Sequence, residues 1–331
     1  MLIRDHTIGE GPPLVIAELG MNHNGDPELA HRLVDAAADA GADAVKFQSF
    51  RTDRFLSPDI AGRDERRAYE LPLSVFVELA QHAGDRGILA FSTPLDTESA
   101  DELATADVPC FKLASCDLTN LPLIEHVACL GKPIIMSTGF STIEEVATAV
   151  ATLRSAGNDQ FVLLHCVAIY PTPLELSNVR SIPTLREAFD CPVGLSDHSI
   201  GTSAAAAATA LGAVMIEKHF TLHRDLPGYD HAMSETPDTF AAVVRAVRDT
   251  HVALGNGNLE RSEPERTRTV GARRSLYWRH DLRKGHTVTL GDVDILRPGA
   301  GLPPAQLVDV VGRTLTQDVA AFRPVSRDDL G

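Results

Sequence analysis

The chain contains no run of about 18 consecutive apolar residues, so no transmembrane helix is expected. Its first residues, MLIRDHTIGEGPP, have too few apolar side chains for a secretory signal. The 5 cysteines (Cys110, Cys116, Cys129, Cys166 and Cys191) are odd in number and have no CxxC spacing. That pattern points to reduced thiols and a cytoplasmic protein rather than a disulfide framework. Positive charge is also in short supply: 30 Lys and Arg against 45 Asp and Glu give a net charge of -15. Nucleic acid and anionic membranes are therefore poor partners. An anionic substrate would need a locally positive site against that background.

What the chain does have is a recurring unit. The short apolar runs are LVIAELG (14–20), AVKFQSF (44–50), ILAFSTP (88–94), CFKLAS (110–115), PIIMSTG (133–139), FVLLHCV (161–167), PVGLSDH (192–198) and VMIEKHF (214–220). Each is rich in β-branched or aromatic residues, as strands buried on both faces should be. Amphipathic stretches such as PELAHRLVDAAADAGA and STIEEVATAVATLRSAG lie between them, opening near Asp, Ser or Thr and closing at Gly. Strand–helix alternation repeated over roughly 250 residues predicts a (β/α)8 TIM barrel. An open doubly wound sheet is the alternative, and the regularity of the units favours closure. The expected barrel spans 1–255. A polar stretch, 256–271, reads as a linker. Residues 272–331, with short runs and Gly turns, predict a small second domain of mostly β and irregular structure.

In such a barrel the strand C-termini and the loops after them build the active site. The polar residues collected there are Glu18, Asn22, His23, Lys46, Gln48, Ser92, Thr93, Lys112, Ser115, Ser137, Thr138, His165, Tyr170, Ser196, Asp197, His198, Glu217, Lys218 and His219. Ser and Thr at strand ends often serve only as helix caps. A lone strand histidine is more often a satisfied core residue than a ligand. Two on adjacent strands, about 4.8 Å apart, can reach one ion. His198 and His219 form such a pair, with Glu18 or Asp230 able to add an oxygen, a donor set that suits Mn, Zn, Fe or Co over Ca. Lys46 and Lys112 interrupt apolar runs, where an unpaired ammonium is costly. They predict a phosphate or carboxylate cradle, or else plain ion pairs with Glu18 or Glu217.

The motifs IAELGMNHNGD, GADAVKFQSF, FSTPLD, FKLAS, IIMSTG, YPTP, GLSDHSIG, IEKHFTL, PGYDH, ARRSLYW and ILRPGAGL follow one another from the first strand to the tail. In that order the chain resembles the sialic acid synthase family, enzymes that make nonulosonic acids from phosphoenolpyruvate and an aldose. The tail resembles the antifreeze-like (SAF) domain that closes those synthases. The resemblance implies a metal-assisted aldol-type condensation with C–O cleavage, giving a 2-keto-3-deoxy acid and phosphate. It implies a divalent metal, Mn2+ first with Mg2+ or Co2+ as alternatives, held by His198 and His219. Lys46, Thr93, Lys112, Ser115, Ser137 and Ser196 would bind phosphoenolpyruvate. Glu18 and Glu217 would be the acid/base pair, and Tyr170 and Asp230 would face the sugar. Arg297 would reach the sugar from the partner subunit of a domain-swapped homodimer.

Four positions depart from the family pattern: Leu95, Ala168, His223 and Tyr229. They leave the phosphate and metal half intact and alter the acceptor half, so an N-acetylmannosamine-like acceptor and a non-acylated or unusual aldehyde both remain open. Other classes predict other behaviour. A Schiff-base aldolase would use Lys46, Lys112 or Lys218, and a metal-dependent hydrolase would not need phosphoenolpyruvate. An ice- or saccharide-binding tail would have no use for the barrel-mouth lysines.

Overall fold

A computed structural model describes residues 1–331. The chain divides into two compact units, Met1–Gly255 and Asn256–Gly331. The first is a closed barrel of eight parallel strands: β1 (Leu14–Gly20), β2 (Ala44–Ser49), β3 (Leu89–Pro94), β4 (Phe111–Leu113), β5 (Ile134–Ser137), β6 (Phe161–Cys166), β7 (Val193–Asp197) and β8 (Met215–His219). Each pairs with the next in sequence, and β8 pairs with β1 to close the ring. The open-sheet alternative is excluded. All eight apolar runs became strands, the first over its whole length and the other seven one to three residues shorter than their sequence limits.

Period-2 alternation sorts every strand into two sets. Ala17, Leu19, Val45, Phe47, Phe111, Leu113, Ile134, Met136, Leu163, Leu195 and Ile216 face outward and pack with the helices into one large buried cluster. Leu14, Ile16, Ala44, Phe91, Cys110, Ile135, Val162, Leu164 and Met215 face inward and fill the barrel, joined by Ile3 and Ile8 of the N-terminal segment. The inward positions next along each strand are the polar ones: Glu18, Lys46, Thr93, Lys112, Ser137, Cys166, Ser196 and Glu217. The barrel thus has an apolar lower layer and a polar upper one.

The helices hold this register from outside. Asp26 caps helix Pro27–Asp39 by accepting the Glu28 N–H (2.9 Å), and Pro27 fits the first turn, where its missing N–H is no loss. Thr142 and Glu145 form a capping box on Ile143–Ser155. No helix is long and apolar enough to cross a membrane.

The second unit pairs β9 (Ser275–Trp278) antiparallel with β10 (Val293–Leu296). Leu276, Trp278, Val288, Val310, Leu315 and Val325 form its core. Within the stretch read as a linker, Glu263–Ala272 is a helix whose Ser262–Glu265 capping box outweighs its weak apolar patterning.

Candidate active site

The upper layer and the loops above it line a cavity of about 170 Å³ at the C-terminal end of the barrel. It is not the largest depression, since a groove of about 540 Å³ lies along Arg32, Asp35 and His223. Only the mouth cavity, however, gathers buried acids, ammoniums and imidazoles.

Lys46 stands at its centre. Its Nζ lies 3.1 Å from Glu18 Oε2 and 3.4 Å from Glu217 Oε1, and donates to Thr93 Oγ1 at 3.3 Å. Lys112 Nζ donates to Ser137 Oγ (2.6 Å) and the Leu113 carbonyl (3.0 Å), and is 3.8 Å from Glu217. Ser196 Oγ donates to Glu217 Oε1 at 3.0 Å, and Gln48 Nε2 to Glu18 Oε1 at 3.0 Å. Ser115 Oγ accepts the Gly139 N–H at 3.0 Å. All four charged residues are buried.

Their environments drive the two acids apart. Burial raises Glu18 to about 7, with Lys46 opposing and Glu217 reinforcing the rise. Burial pushes Glu217 up as well, but the Lys112 and Lys46 ammoniums outweigh it and hold the carboxyl at about 2. Burial lowers Lys112 to about 8. Burial also opposes the charge on Lys46, but Glu18 and Glu217 overcome it and raise the ammonium above its ordinary value. Near neutrality the site therefore holds an ionised acid, a part-protonated one and two ammoniums.

The two histidines meet as their strand positions require, with ring centroids 5.3 Å apart. Burial, and then the neighbouring His219, holds His198 at about 4; burial, and then Lys46, holds His219 at about 3. Both are neutral at pH 7, the form that ligates metals. His198 Nδ1 donates to the Val167 carbonyl at 3.0 Å, the tautomer that leaves Nε2 with its lone pair free. His219 Nδ1 is buried without a hydrogen-bond partner and lies 3.8 Å from Asp230 Oδ2. No three His, Cys, Asp or Glu side chains form a ready-made metal cluster. The pair nevertheless fits a divalent metal by its donor chemistry: two neutral imidazoles, with the His198 Nε2 lone pair free and His219 Nδ1 without a hydrogen-bond partner. Tyr170 covers both rings, its centroid 4.2 Å from that of His198 and 6.1 Å from that of His219.

Two glycines shape the walls. Gly20 follows a register shift in β1 and has φ +49°. A Cβ there would lie 3.0 Å from Glu18 Oε1, 3.3 Å from Gln48 Nε2 and 3.6 Å from Asp230 Oδ2. A Cβ on Gly139 would come within 2.7 Å of Ser115 Oγ and 3.0 Å of Cys166 Sγ.

Not every residue collected by sequence faces the mouth. His165 turns outward and its Nε2 bonds the Ser177 carbonyl at 2.8 Å. Asp197 and Lys218 also point outward and pair with each other at 2.7 Å, which removes Lys218 from the candidate nucleophiles. Asn22 Nδ2 donates to the Phe220 carbonyl and Ser234 Oγ, a structural role. Ser92 meets Ser49. Arg297 belongs to the second unit, where it is exposed and has no ion-pair partner.

Among the departures, His223 lines the outer groove, Leu95 lines the cavity, and Tyr229 lies under Arg66 (4.7 Å) and beside Tyr69 (5.7 Å). Cys166, Cys116, Phe55 and Phe140 line the cavity without having been singled out as site residues. Alternation would have found Cys166, two residues beyond inward Leu164. Nothing in the sequence marks Phe55, which ends the short helix Thr52–Phe55, or Phe140, which lies in the turn after β5.

Residues 33–259 match the NeuB family and residues 273–331 the SAF domain. The chain belongs to the NeuB family. It is an enzyme of the sialic acid synthase type, and its tail is an SAF domain. An uncharacterized protein of Methanocaldococcus jannaschii is 41% identical, with 99% of this chain and 98% of that one covered. The N,N'-diacetyllegionaminic acid synthase of Legionella pneumophila is 36% identical over 93% of this chain and 91% of its own length. Among solved structures, the N-acetylneuraminic acid synthetase of Leptospira borgpetersenii, in complex with citrate, superposes with a TM-score of 0.77 at 35% identity. That match covers 81% of this chain and 94% of the other.

Proposed function

We propose that this NeuB-family enzyme condenses phosphoenolpyruvate with the open-chain aldehyde form of an aldose, releasing phosphate and forming a 2-keto-3-deoxy acid. The observation that carries the proposal is the pairing of two buried ammoniums with one ionised and one part-protonated glutamate, beside two neutral imidazoles. Lys46 and Lys112, with Thr93, Ser115, Ser137 and Ser196, bind the phosphate and carboxylate of phosphoenolpyruvate. They supply local positive charge within a chain of net charge -15.

His198 and His219 hold a divalent metal, which when bound supplies Lewis-acid polarisation of the acceptor's aldehyde. The new bond joins C3 of phosphoenolpyruvate to the aldehyde carbon, leaving positive charge at C2. Glu18, part-protonated near neutrality, donates the proton that the aldehyde oxygen gains. Glu217, ionised, takes a proton from the water that adds to C2. The resulting tetrahedral centre then breaks its C–O bond to phosphate as its hydroxyl becomes the C2 carbonyl: the hydroxyl proton returns to Glu18, and the departing phosphate takes up the proton held on Glu217. Buried Glu217 Oε2 makes no hydrogen bond, which leaves an acceptor site for substrate or water. Tyr170 and Asp230 face the acceptor. In a homodimer, Arg297 of a second copy would complete its recognition.

The lowered Lys112, at about 8, gives a Schiff-base route its one point of support. Its Nζ is nonetheless committed to Ser137 and a backbone carbonyl.

Phosphate release from phosphoenolpyruvate, measured across a panel of aldoses with Mn2+ and with chelator, tests the proposal. Release that requires one aldose and the metal names the acceptor. Release indifferent to chelator, with borohydride trapping of an adduct on Lys112, would replace it with the Schiff-base reaction.

A further inference from the structure

Behind the two histidines, on the outer side of the barrel wall, lies a buried ionic cluster that does not line the mouth cavity. Lys218 sits between Glu217 and His219 on β8 but turns its ammonium away from the cavity. Its Nζ is 2.7 Å from Asp197 Oδ2, donates to the Ser199 carbonyl, and is 3.6 Å from Glu235 Oε1. Asp197 directly precedes His198, and its Oδ1 accepts the Ser199 N–H (2.8 Å) and Oγ–H (2.7 Å). Glu235 accepts the Gly201 N–H at 3.0 Å and pairs with Arg224 at 3.0 Å. Its own N–H donates to the His219 carbonyl at 2.8 Å. Asp197, Lys218 and Glu235 are 4%, 2% and 2% exposed.

The Lys218 ammonium and the Asp197 carboxylate therefore hold the backbone just after His198, at Ser199, while Glu235 reaches Gly201 through its carboxylate and the His219 carbonyl through its own N–H. A buried ion pair adds little net stability over a well-packed apolar replacement. Apolar side chains, however, could not fix the two strand ends directionally, whereas hydrogen bonds of set length can. We propose that Asp197, Lys218 and Glu235 are positioning residues that set the separation and orientation of the His198 and His219 imidazoles for a divalent cation. The inference rests on the metal assignment proposed above. Groups that orient metal-binding histidines without touching the ion typically change affinity by about 10- to 100-fold when removed.

The test is Mn2+ binding to the full chain, by titration and by the electron paramagnetic resonance spectrum of the bound ion, in native protein and in Asp197→Asn. The variant is isosteric but removes the charge that anchors Lys218. The expected result is an affinity about tenfold or more weaker with a broadened spectrum, while phosphoenolpyruvate binding to chelator-treated protein stays within about twofold. Asp197→Asn/Lys218→Met, which removes both charges and strands neither, gives the same readout if the single variant folds poorly. Asp43→Asn is the control: it breaks the Arg248–Asp43 pair at the other end of the barrel and should leave Mn2+ affinity within about twofold of native. Native-like affinity in a folded Asp197→Asn or double variant would overturn the inference, as would an equal loss in Asp43→Asn. A native chain that takes up no Mn2+ would overturn the metal assignment itself, and the inference with it.

Discussion

Replacing Lys46 with Met keeps most of the side chain's volume and removes one charge from the centre of the mouth. The ammonium it deletes is 3.1 Å from Glu18 and 3.4 Å from Glu217, and Lys46 is 4% exposed. Removing one partner of a buried ion pair costs about 3–5 kcal/mol, because the other charge is stranded. Here the loss should fall at the lower end, about 3 kcal/mol, for two reasons. Glu217 keeps Lys112 and Ser196. Glu18, already raised to about 7 by burial, can take up a proton rather than remain a bare carboxylate. Adding Glu18→Gln to Lys46→Met leaves no stranded acid at that position and should recover about 1–2 kcal/mol. Neither variant should release phosphate from phosphoenolpyruvate. The assay is urea unfolding of chelator-treated full-length protein followed by far-UV circular dichroism. The barrel helices dominate that signal, whereas the only tryptophan, Trp278, reports the second unit separately. A Lys46→Met barrel within about 0.5 kcal/mol of native, or no recovery from Glu18→Gln, would refute the placement of Lys46 between two buried acids.

Other expectations follow from the same geometry. Gly20→Ala forces a Cβ onto φ +49° and to within 3.0 Å of Glu18 Oε1; it should destabilise by about 1–3 kcal/mol and lower kcat more than it raises KM for phosphoenolpyruvate. Unchanged kcat would show that Glu18 need not stay where it is. His198→Ala or His219→Ala should abolish stoichiometric Mn2+ by metal analysis, and retained metal in either would move the ligands elsewhere. In the second unit burial pushes Asp292 up, but His286, Thr289 and His280 outweigh it and hold the carboxyl below the ordinary range. A depressed folded-state value gives stability that is present above about pH 4 and lost as pH falls towards the folded value. Trp278 fluorescence should therefore show the second unit weakening in acid, and Asp292→Asn should flatten that slope while lowering stability at pH 7. Mixing Arg297→Ala with His219→Ala chains should restore some activity in shared dimers, and none in demonstrated heterodimers would place Arg297 outside the site.

The sequence by itself determined the strands, because eight apolar runs separated by capped amphipathic helices read as strands buried on both faces; their regularity favoured closure over an open doubly wound sheet, and the β8–β1 pairing decided it. It also determined which strand ends carry chemistry. Lys46, Lys112, Glu18 and Glu217 are too polar for their apolar surroundings unless they meet one another, and they do. Sequence could not decide between residues of like chemistry at the ends of different strands. Lys218 and Lys46 look equivalent in the chain, as do His165 and His198. The barrel's pleat sends Lys46 and His198 into the mouth and Lys218 and His165 out against the helices, and that sorting depends on register across all eight strands. Nor could it supply Phe55 and Phe140, which lie beyond the strands and whose place in the cavity wall follows no strand periodicity. The opposed protonation of Glu18 and Glu217 is likewise tertiary. Both acids are buried to a similar degree, but Glu217 lies within reach of two ammoniums and Glu18 of one. Only the closed ring, bringing β8 back against β1, arranges that.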